Sequence, residues 1–437
     1  MPVIVPDCTC CWECKYFQRI KSDNFISPKT FLCLAYPDGI PKDYFFEEKK
    51  EGQICKGGLI FKEQHPSYGP YADKPHFNDT YISIIKSKFG EYPVFFTTGL
   101  DCQNFTNYDL NNTFFVIDSN VYDLYKNIFS LIKRENIFLI EALEKNKNID
   151  TVLKLVNFFS NLQVDKSSKI VCFGGGITQE ITSFACNIFL RGIKWEFFPT
   201  TLLAMSDSCI GGKCSLNYEG IKNHLGVFYP PSKIRIDTYF LKTLKKDDII
   251  NGWGEIFKSC LLNEKFAKEI FSIDFNYEDI FSKTDHSLYS FYQDFISYSL
   301  RVKKDVIEKD ELEGKFRMIL NYGHTFGHAL ESYTNNSISH GKAVLWGIDV
   351  INFIAFKKNI MNEEDFLKIR KYIYAHFLDI ESIKIDNPNE LFKFVKKDKK
   401  VRNDKLYVVY LEKIGSPIII KEDIGELEKI FLGAMKK

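Results

Sequence analysis

The chain has no excess of either charge. Lys and Arg number 58 against 57 Asp and Glu, a formal charge of +1. That balance excludes the broad basic surface of a nucleic-acid-binding protein, while a few local cations still suffice for a small anionic ligand. No apolar run approaches the ~18 residues of a membrane-spanning helix, so no membrane partner is expected. The opening stretch, MPVIVPDCTC, has no basic segment leading into an apolar one and does not read as a secretory signal. A cytoplasmic protein is the expectation. There the twelve cysteines serve as thiols or metal ligands rather than disulfides. Also missing are an internal repeat and the Gly-x-Gly-x-x-Gly fingerprint, which disfavours an ordinary Rossmann dehydrogenase.

With 437 residues and an apolar fraction of 45%, the chain has room for two domains and an appendage. Residues 1–80 hold six of the twelve cysteines and much turn chemistry (YPDGIP, KGG, HPSYGPYADKP), and read as a small irregular module. Residues 81–245 alternate between two patterns. TFFVID, IFLIEA and KIVCFGGG read as strands. YDLYKNIFSLIKR (residues 122–134), DTVLKLVNFFSNL and ITQEITSFACNIFL carry helical stripes. Such alternation predicts a parallel sheet. Residues 246–437 are expected to be mainly α, from stripes such as FAKEIFSI, LYSFYQDFISYSLRVKKDVI, KAVLWGIDVINFIAFKK and EDFLKIRKYIYAHF.

Three motifs carry chemistry. Gly174, Gly175 and Gly176 join a strand to a helix, where backbone N–H groups can approach a phosphate at a positive helix end; the same glycines also suit a plain tight turn. His324 and His328, in NYGHTFGHALE, share a helix face at i and i+4, which suits a pair of metal ligands or two packing histidines. Near the N-terminus Cys11 and Cys14 form a CxxC. With Cys33 and Cys55 they make a candidate structural zinc site, the alternative being reduced, partly buried thiols.

The ordered series GGGITQEITSFACNIFLRG, FFPTTLLAMSDSCIGGKCSLN, IKNHLGVFYPP, IDTYFLKTL, NGWGEIFKS, NYGHTFGHALE and HGKAVLWG resembles the 3-dehydroquinate synthases and their relatives, the sugar phosphate cyclases. The resemblance spans roughly residues 85–437. It implies an α/β NAD-binding domain with a parallel sheet, followed by a mostly α-helical metal-binding domain, in a likeness that typically lacks the first 80 residues. It assigns zinc, or cobalt, to Glu255, His324 and His340, and turns His328 toward the substrate. It places Asp118, Asn120, Glu144, Lys147, Gly175, Gly176, Glu180, Thr200, Thr201, Lys222, Phe240 and Thr243 around NAD, with Lys213 and Asn223 near both nicotinamide and substrate. Lys258, Lys303, Arg317, Asn321, Asp207 and Lys399 are assigned to a substrate carrying a phosphate and a carboxylate. Arg317 and Asn321 precede His324 and are expected on its side of one helix. Arg191 matches an arginine that reaches a neighbouring subunit, which implies a homodimer.

The implied reaction oxidises a ring hydroxyl of a heptulosonate phosphate with NAD⁺, eliminates phosphate from the acidified neighbouring carbon, reverses the oxidation, and closes the carbocycle by an internal aldol step. Gln179 and Glu180 stand where Gly-Asp is usual, and Cys214, Ile221 and His224 also depart from the family pattern. These changes cluster at the nucleotide end. The retained cations disfavour relatives whose substrates lack a carboxylate. Two other readings compete: a metal- and NAD-dependent polyol or glycerol phosphate dehydrogenase of the same superfold, and a catalytically altered scaffold protein acting through the N-terminal module.

Overall fold

The computed structural model describes residues 17–19, 31–33, 79–106, 108–273, 286–335, 337–378, 383–397, 401 and 404–435. The chain divides into two compact units, Met1–His76 and Phe77–Lys437. In the first, β1 (Phe17–Arg19) pairs antiparallel with β2 (Phe31–Cys33). The zinc set proposed at Cys11, Cys14, Cys33 and Cys55 lies outside the described residues except for the strand backbone at Cys33, and Lys399 lies outside them too.

The second unit is built on a seven-stranded sheet. Its members are β3 (Thr80–Ser87), β4 (Gly90–Phe96), β5 (Thr113–Asp118), β6 (Ile137–Ile140), β7 (Lys169–Gly174), β8 (Trp195–Pro199) and, after an exposed hairpin of β9 (Lys213–Tyr218) and β10 (Ile221–Phe228), β11 (Lys233–Ile236). The spatial order is β3-β4-β11-β8-β7-β5-β6. All neighbours run parallel except β3, an antiparallel edge strand paired with β4 that the alternation pattern did not announce. The central strands are β-branched and aromatic along their whole length, and Val171, Cys172, Phe173, Phe197 and Phe198 are fully buried, as a sheet covered on both faces requires.

Helices α1 (Ser119–Leu124), α2 (Ile149–Asn161) and α3 (Gly176–Ile188) connect these strands. The helix expected over residues 122–134 is not continuous: α1 ends at Leu124, and tight i→i+3 turns follow. Tyr125 explains the stop. Its ring packs on Phe240 at 4.9 Å and its hydroxyl lies 3.0 Å from Thr243 Oγ1, so tertiary contact overrides the helical stripe.

The chain leaves β5 for β6 on one side and returns to β7 on the other. The carboxyl ends of β5 and β7 therefore flank a topological switch point, where open α/β sheets bind ligands. Elsewhere in the sheet, buried Arg235 bridges Asp79 and Glu196 at 2.9 Å each, and Tyr108 donates to Glu196 at 2.9 Å.

From Lys246 onward the chain is helical: α4 (Lys246–Leu261), α5 (Glu264–Phe271), α6 (His286–Lys309), α7 (His324–Tyr333), α8 (His340–Lys357), α9 (Glu363–His376), α10 (Pro388–Lys396) and α11 (Ile424–Ala434). One antiparallel pair, β12 (Lys405–Lys413) with β13 (Ser416–Asp423), interrupts a region expected to be mainly α. Helix α8 touches two partners backbone to backbone. A Cβ on Gly254 of α4 would strike the Gly341 carbonyl, and one on Gly347 would strike the Gly323 carbonyl just before α7. Those contacts set the spacing of the three helices that carry the site. Among the described residues, no helix is long and apolar enough to cross a membrane.

Candidate active site

Three side chains converge where α4, α7 and α8 meet. Glu255 lies in α4, His324 opens α7, and His340 opens α8. Glu255 Oε1 is 3.3 Å from His324 Nε2 and 3.2 Å from His340 Nε2, and one ligand atom from each residue fits within 4.8 Å of the others. The rings are aimed from behind. His324 Nδ1 lies 3.1 Å from the Tyr322 carbonyl, and His340 Nδ1 lies 3.3 Å from Glu331 Oε2. Each Nδ1 is thereby directed at an oxygen, which leaves each Nε2 facing Glu255. A glutamate and two imidazoles with this backing would form a three-ligand divalent-metal set once His340 gives up its proton, with room for further ligands.

The electrostatics agree. Burial would raise the Glu255 carboxyl, but Lys258 and His324 hold it well below the ordinary value. Burial lowers His324, and Lys258 adds to that. Burial would lower His340 as well, yet its bonds to Glu255 and Glu331 prevail and hold it at about 10. A divalent cation would take over the charge balance that this proton provides.

NYGHTFGHALE is not one helix. Phe316–Asn321 form a 3₁₀ turn, Gly323 takes φ +78°, and α7 begins only at His324. Arg317 and Asn321 therefore approach from a separate segment and do not share a helix face with His324. His324 and His328 do share one, with ring centroids 5.1 Å apart, but His328 is exposed whereas His324 is buried.

Lys258 adjoins this centre, and Lys213, Lys303 and Arg317 form a second group of cations that act on one another. Lys258 is 2% exposed, pairs with Glu255 and donates to the Leu320 carbonyl at 2.8 Å. Lys303 reaches Asp207 Oδ1 at 3.0 Å from α6. Asp207 itself lies in a π-helical turn, Ala204–Ser208, an irregularity common at functional sites. Arg317 is buried and donates to the Glu311 carbonyl. Its guanidinium lies against Gly211, where an added Cβ would come 2.9 Å from Nη2; Gly211 also holds φ +96° and precedes Lys213 by two residues. Lys213 pairs with Glu313.

Several residues that the resemblance assigns to the nucleotide lie at the carboxyl ends of the strands flanking the switch point. Asp118 ends β5 and accepts from the Asn120 N–H at 2.8 Å; burial raises its pKa, and the α1 amides oppose that. Gly175 caps α3 without any side-chain hydrogen bond. A Cβ on Gly175 would meet Thr201 Cγ2 at 2.9 Å, whereas one on Gly176 would find only Ser208 Oγ, at 3.9 Å. Open space before uncapped helix amides is what a diphosphate needs. Lys147 donates to Glu180 Oε2 at 2.9 Å and Asn223 Oδ1 at 2.7 Å, and the Ser215 hydroxyl on β9 lies 2.8 Å from Glu180 Oε1 and from Asn223 Oδ1. Asn217 ties Glu144 to the same network at 2.8 Å. Thr200 N–H closes onto the Gly174 carbonyl at 2.9 Å.

Residues 137–251 match the 3-dehydroquinate synthase N-terminal family, and residues 252–401 the 3-dehydroquinate synthase C-terminal family. The chain is 34% identical over 322 residues to the 3-dehydroquinate synthase of Pelagibacter ubique, covering 71% of this chain and 85% of that protein. It is 33% identical over 351 residues to that of Clostridium tetani, covering 78% and 91%.

The chain belongs to the 3-dehydroquinate synthase family.

Among solved structures, its fold is that of a 2-deoxy-scyllo-inosose synthase complexed with carbaglucose-6-phosphate, NAD⁺ and Co²⁺, at 23% identity and a TM-score of 0.67 over 80% of this chain and 99% of that one. The fold is equally that of 2-epi-5-epi-valiolone synthase from Streptomyces hygroscopicus with NAD⁺ and Zn²⁺ bound, at 22% identity and a TM-score of 0.67 over 81% and 100%.

Some residues that the family resemblance assigned stand apart in this chain. Arg191 lies beyond the far end of α3, about 20 Å from the glycine turn for a helix of 13 residues. Phe240 is buried in the core, while Thr243 is exposed. Lys222 is exposed on β10 and acts electrostatically on Glu331. Gln179, in place of a family glycine, is buried and locked reciprocally to Ser208, at 2.8 Å to its carbonyl and 2.7 Å from its hydroxyl. That departure fastens α3 to the π-helical turn. Glu331 and Glu313 escaped the sequence reading. Glu331 ends the GHALE motif one turn after His328, a signal that the i, i+3 spacing offered.

Proposed function

We propose that this enzyme, a lyase of the 3-dehydroquinate synthase type, eliminates phosphate from a 3-deoxy-heptulosonate 7-phosphate-like sugar acid and closes it to 3-dehydroquinate or a close cyclitol. The observation that carries this reading is the Glu255–His324–His340 triad with the buried Lys258 ammonium paired to Glu255. When bound, NAD⁺ supplies a reversible oxidation and the divalent metal supplies Lewis acidity.

The chain's residues do the rest. Glu255, His324 and His340 hold the metal, with Glu331 and the Tyr322 carbonyl orienting the rings. Asp118, Asn120, Glu144, Lys147, Glu180, Thr200, Thr201, Phe240, Thr243 and the Gly175–Gly176 turn hold NAD at the switch point, with Lys222 on its nicotinamide side. Lys213, Lys258, Lys303, Arg317, Asn223 and Asn321 bind the substrate's anionic groups and hydroxyls, and Lys399 joins them from outside the described residues. His328, exposed beside the triad, moves protons at the reacting hydroxyls. Asp207 fixes the Lys303 ammonium. Deep cations suit a doubly anionic substrate better than a neutral polyol, which favours cyclisation over simple dehydrogenation.

The protein works as a homodimer in the cytoplasm, with Arg191 serving the site of a second copy. Its position far from its own glycine turn supports this, as do the unpaired described cysteines for a reducing compartment. The N-terminal module, residues 1–80, holds structural zinc through Cys11, Cys14, Cys33 and Cys55. The deciding assay incubates enzyme, metal and NAD⁺ with the heptulosonate phosphate. Phosphate release without net NADH is expected, and steady NADH accumulation sinks the proposal. Metal analysis of an N-terminally truncated chain checks the cysteine site, with one zinc fewer expected.

A further inference from the structure

We infer that Gln179 is a positioning residue for the substrate: although it stands in the helix behind the glycine turn, its amide acts through Ser208 and Asp207 to hold the Lys303 ammonium in place. This rests on the reading of Lys303 as a cation that binds the substrate's phosphate.

The need for such a residue arises in the backbone. The last carbonyls of a helical turn lack partners in the turn itself. Beyond the π-helical turn Ala204–Ser208 the chain supplies little. The Ile210 N–H reaches the Asp207 carbonyl only at 3.4 Å. Gly211 then turns away at φ +96°, and its N–H donates to Tyr92 Oη at 3.0 Å. Side chains fill the gap. Lys303 Nζ donates to the Asp207 carbonyl at 2.8 Å, and Gln179 Nε2 donates to the Ser208 carbonyl, also at 2.8 Å. Each pair then meets a second time. Asp207 Oδ1 lies 3.0 Å from Lys303 Nζ, and the Ser208 hydroxyl donates to Gln179 Oε1 at 2.7 Å. Two consecutive residues are thus gripped at backbone and side chain, Asp207 by α6 and Ser208 by α3.

Burial gives these bonds their weight. Gln179 is 4% exposed and Lys303 7%. A glycine at 179, usual in the family pattern, would offer no amide to the Ser208 carbonyl, and a partly buried carbonyl left without its donor is costly. An ammonium has three N–H donors. Asp207 takes two of them, which fixes the direction of the third. A lysine held this way is already ordered when an anionic oxygen arrives, whereas a loosened one must be ordered during binding.

The nucleotide side is spared by the same geometry. The Gln179 N–H closes the first turn of α3 onto the Gly175 carbonyl at 3.0 Å, but both polar atoms of its side chain are directed at Ser208. The phosphate cradle is backbone at Gly175 and Gly176, and Ser208 Oγ only borders it, 3.9 Å from where a Cβ on Gly176 would stand. Loss of the amide should therefore be felt by the substrate and not by NAD⁺.

The test uses Gln179→Met, which keeps the side-chain volume and removes both hydrogen bonds, with thermal unfolding recorded for every variant. Inorganic phosphate affinity, measured by calorimetry on the NAD- and metal-loaded protein, should fall about fivefold. KM for the heptulosonate phosphate should rise by about as much, while kcat and the dissociation constant for NAD⁺ stay within about twofold. Ser208→Ala spares the bond to the residue-208 carbonyl and should weaken phosphate about twofold. In a Lys303→Ala background neither change should have a further effect, because both act through that lysine. Should Gln179→Met fail to fold, Ser208→Ala with and without Lys303→Ala decides the matter. Unchanged phosphate affinity in the folded variants, an equal loss of NAD⁺ affinity, or an undiminished effect without Lys303 overturns the inference. Phosphate binding untouched by Lys303→Ala alone overturns the anion-site reading, and this inference with it.

Discussion

The two ends of the site are built on different principles. At the metal end, Glu255, His324 and His340 hang from three helices that touch through glycine; Glu255 and His324 are buried, His340 is half-buried, and each ring is backed by an oxygen. At the nucleotide end, Lys147, Glu180, Ser215 and Asn223 form a hydrogen-bond network across an exposed hairpin, and the phosphate turn opens into space. One end is defined by packing, the other by polar contacts that a ligand can rearrange. The departures from the family pattern fall at the second end, where the Gln179–Ser208 lock shows how a substitution is absorbed.

Substitutions sharpen that contrast. The largest effect is expected from His324→Ala, with activity reduced by at least about a thousandfold and bound metal lost. Elemental analysis together with the phosphate assay checks this, and full metal occupancy would contradict the ligand assignment. Next, Gly254→Ala should cost roughly 3 kcal/mol in chemical unfolding, because its Cβ meets the Gly341 carbonyl with nowhere to go. Gly176→Ala should leave folding unchanged or slightly improved yet weaken NAD⁺ about tenfold, since its Cβ enters only the open cradle. If the two glycines behave alike, the contrast fails.

The sheet supplies a pH-dependent comparison. Burial alone would raise Glu196, but Arg235, Lys233 and Lys169 hold it down at about 2. A folded-state pKa below the unfolded value gives stability that is present above about 4.5 and lost as pH falls toward about 2. Its worth at neutral pH is about 3 kcal/mol. Glu196→Gln should forfeit that at pH 7 and flatten the acid limb of the unfolding curve. Last, His328→Ala should lower turnover about a hundredfold while metal occupancy stays intact, and loss of metal would refute the division of the two histidines.

Much of this architecture was legible from residue order. Strand–helix alternation implied the parallel sheet, and seven ordered motifs brought Glu255, His324 and His340 together without geometry. Local windows failed where tertiary contact decided the outcome. Arg317 and Asn321 looked helical because their apolar neighbours continue the α7 stripe, while left-handed Gly323 breaks it. β12 and β13 were hidden among helical stripes, although KLYVVYLEK and SPIIIKED are rich in β-branched and aromatic residues around a Gly415 turn at φ +86°. The Lys213–Glu313 ion pair left no signal in any local window, because its partners lie a hundred residues apart.

The glycine contacts of α8 also bear on how this enzyme can change. A metal centre slung between touching backbones has little mechanical play: side chains cannot re-pack around a shifted helix when no side chain separates the helices. Drift toward a different sugar must therefore come from parts outside that frame, such as the half-exposed Lys213–Glu313 ion pair, which can change without loosening it.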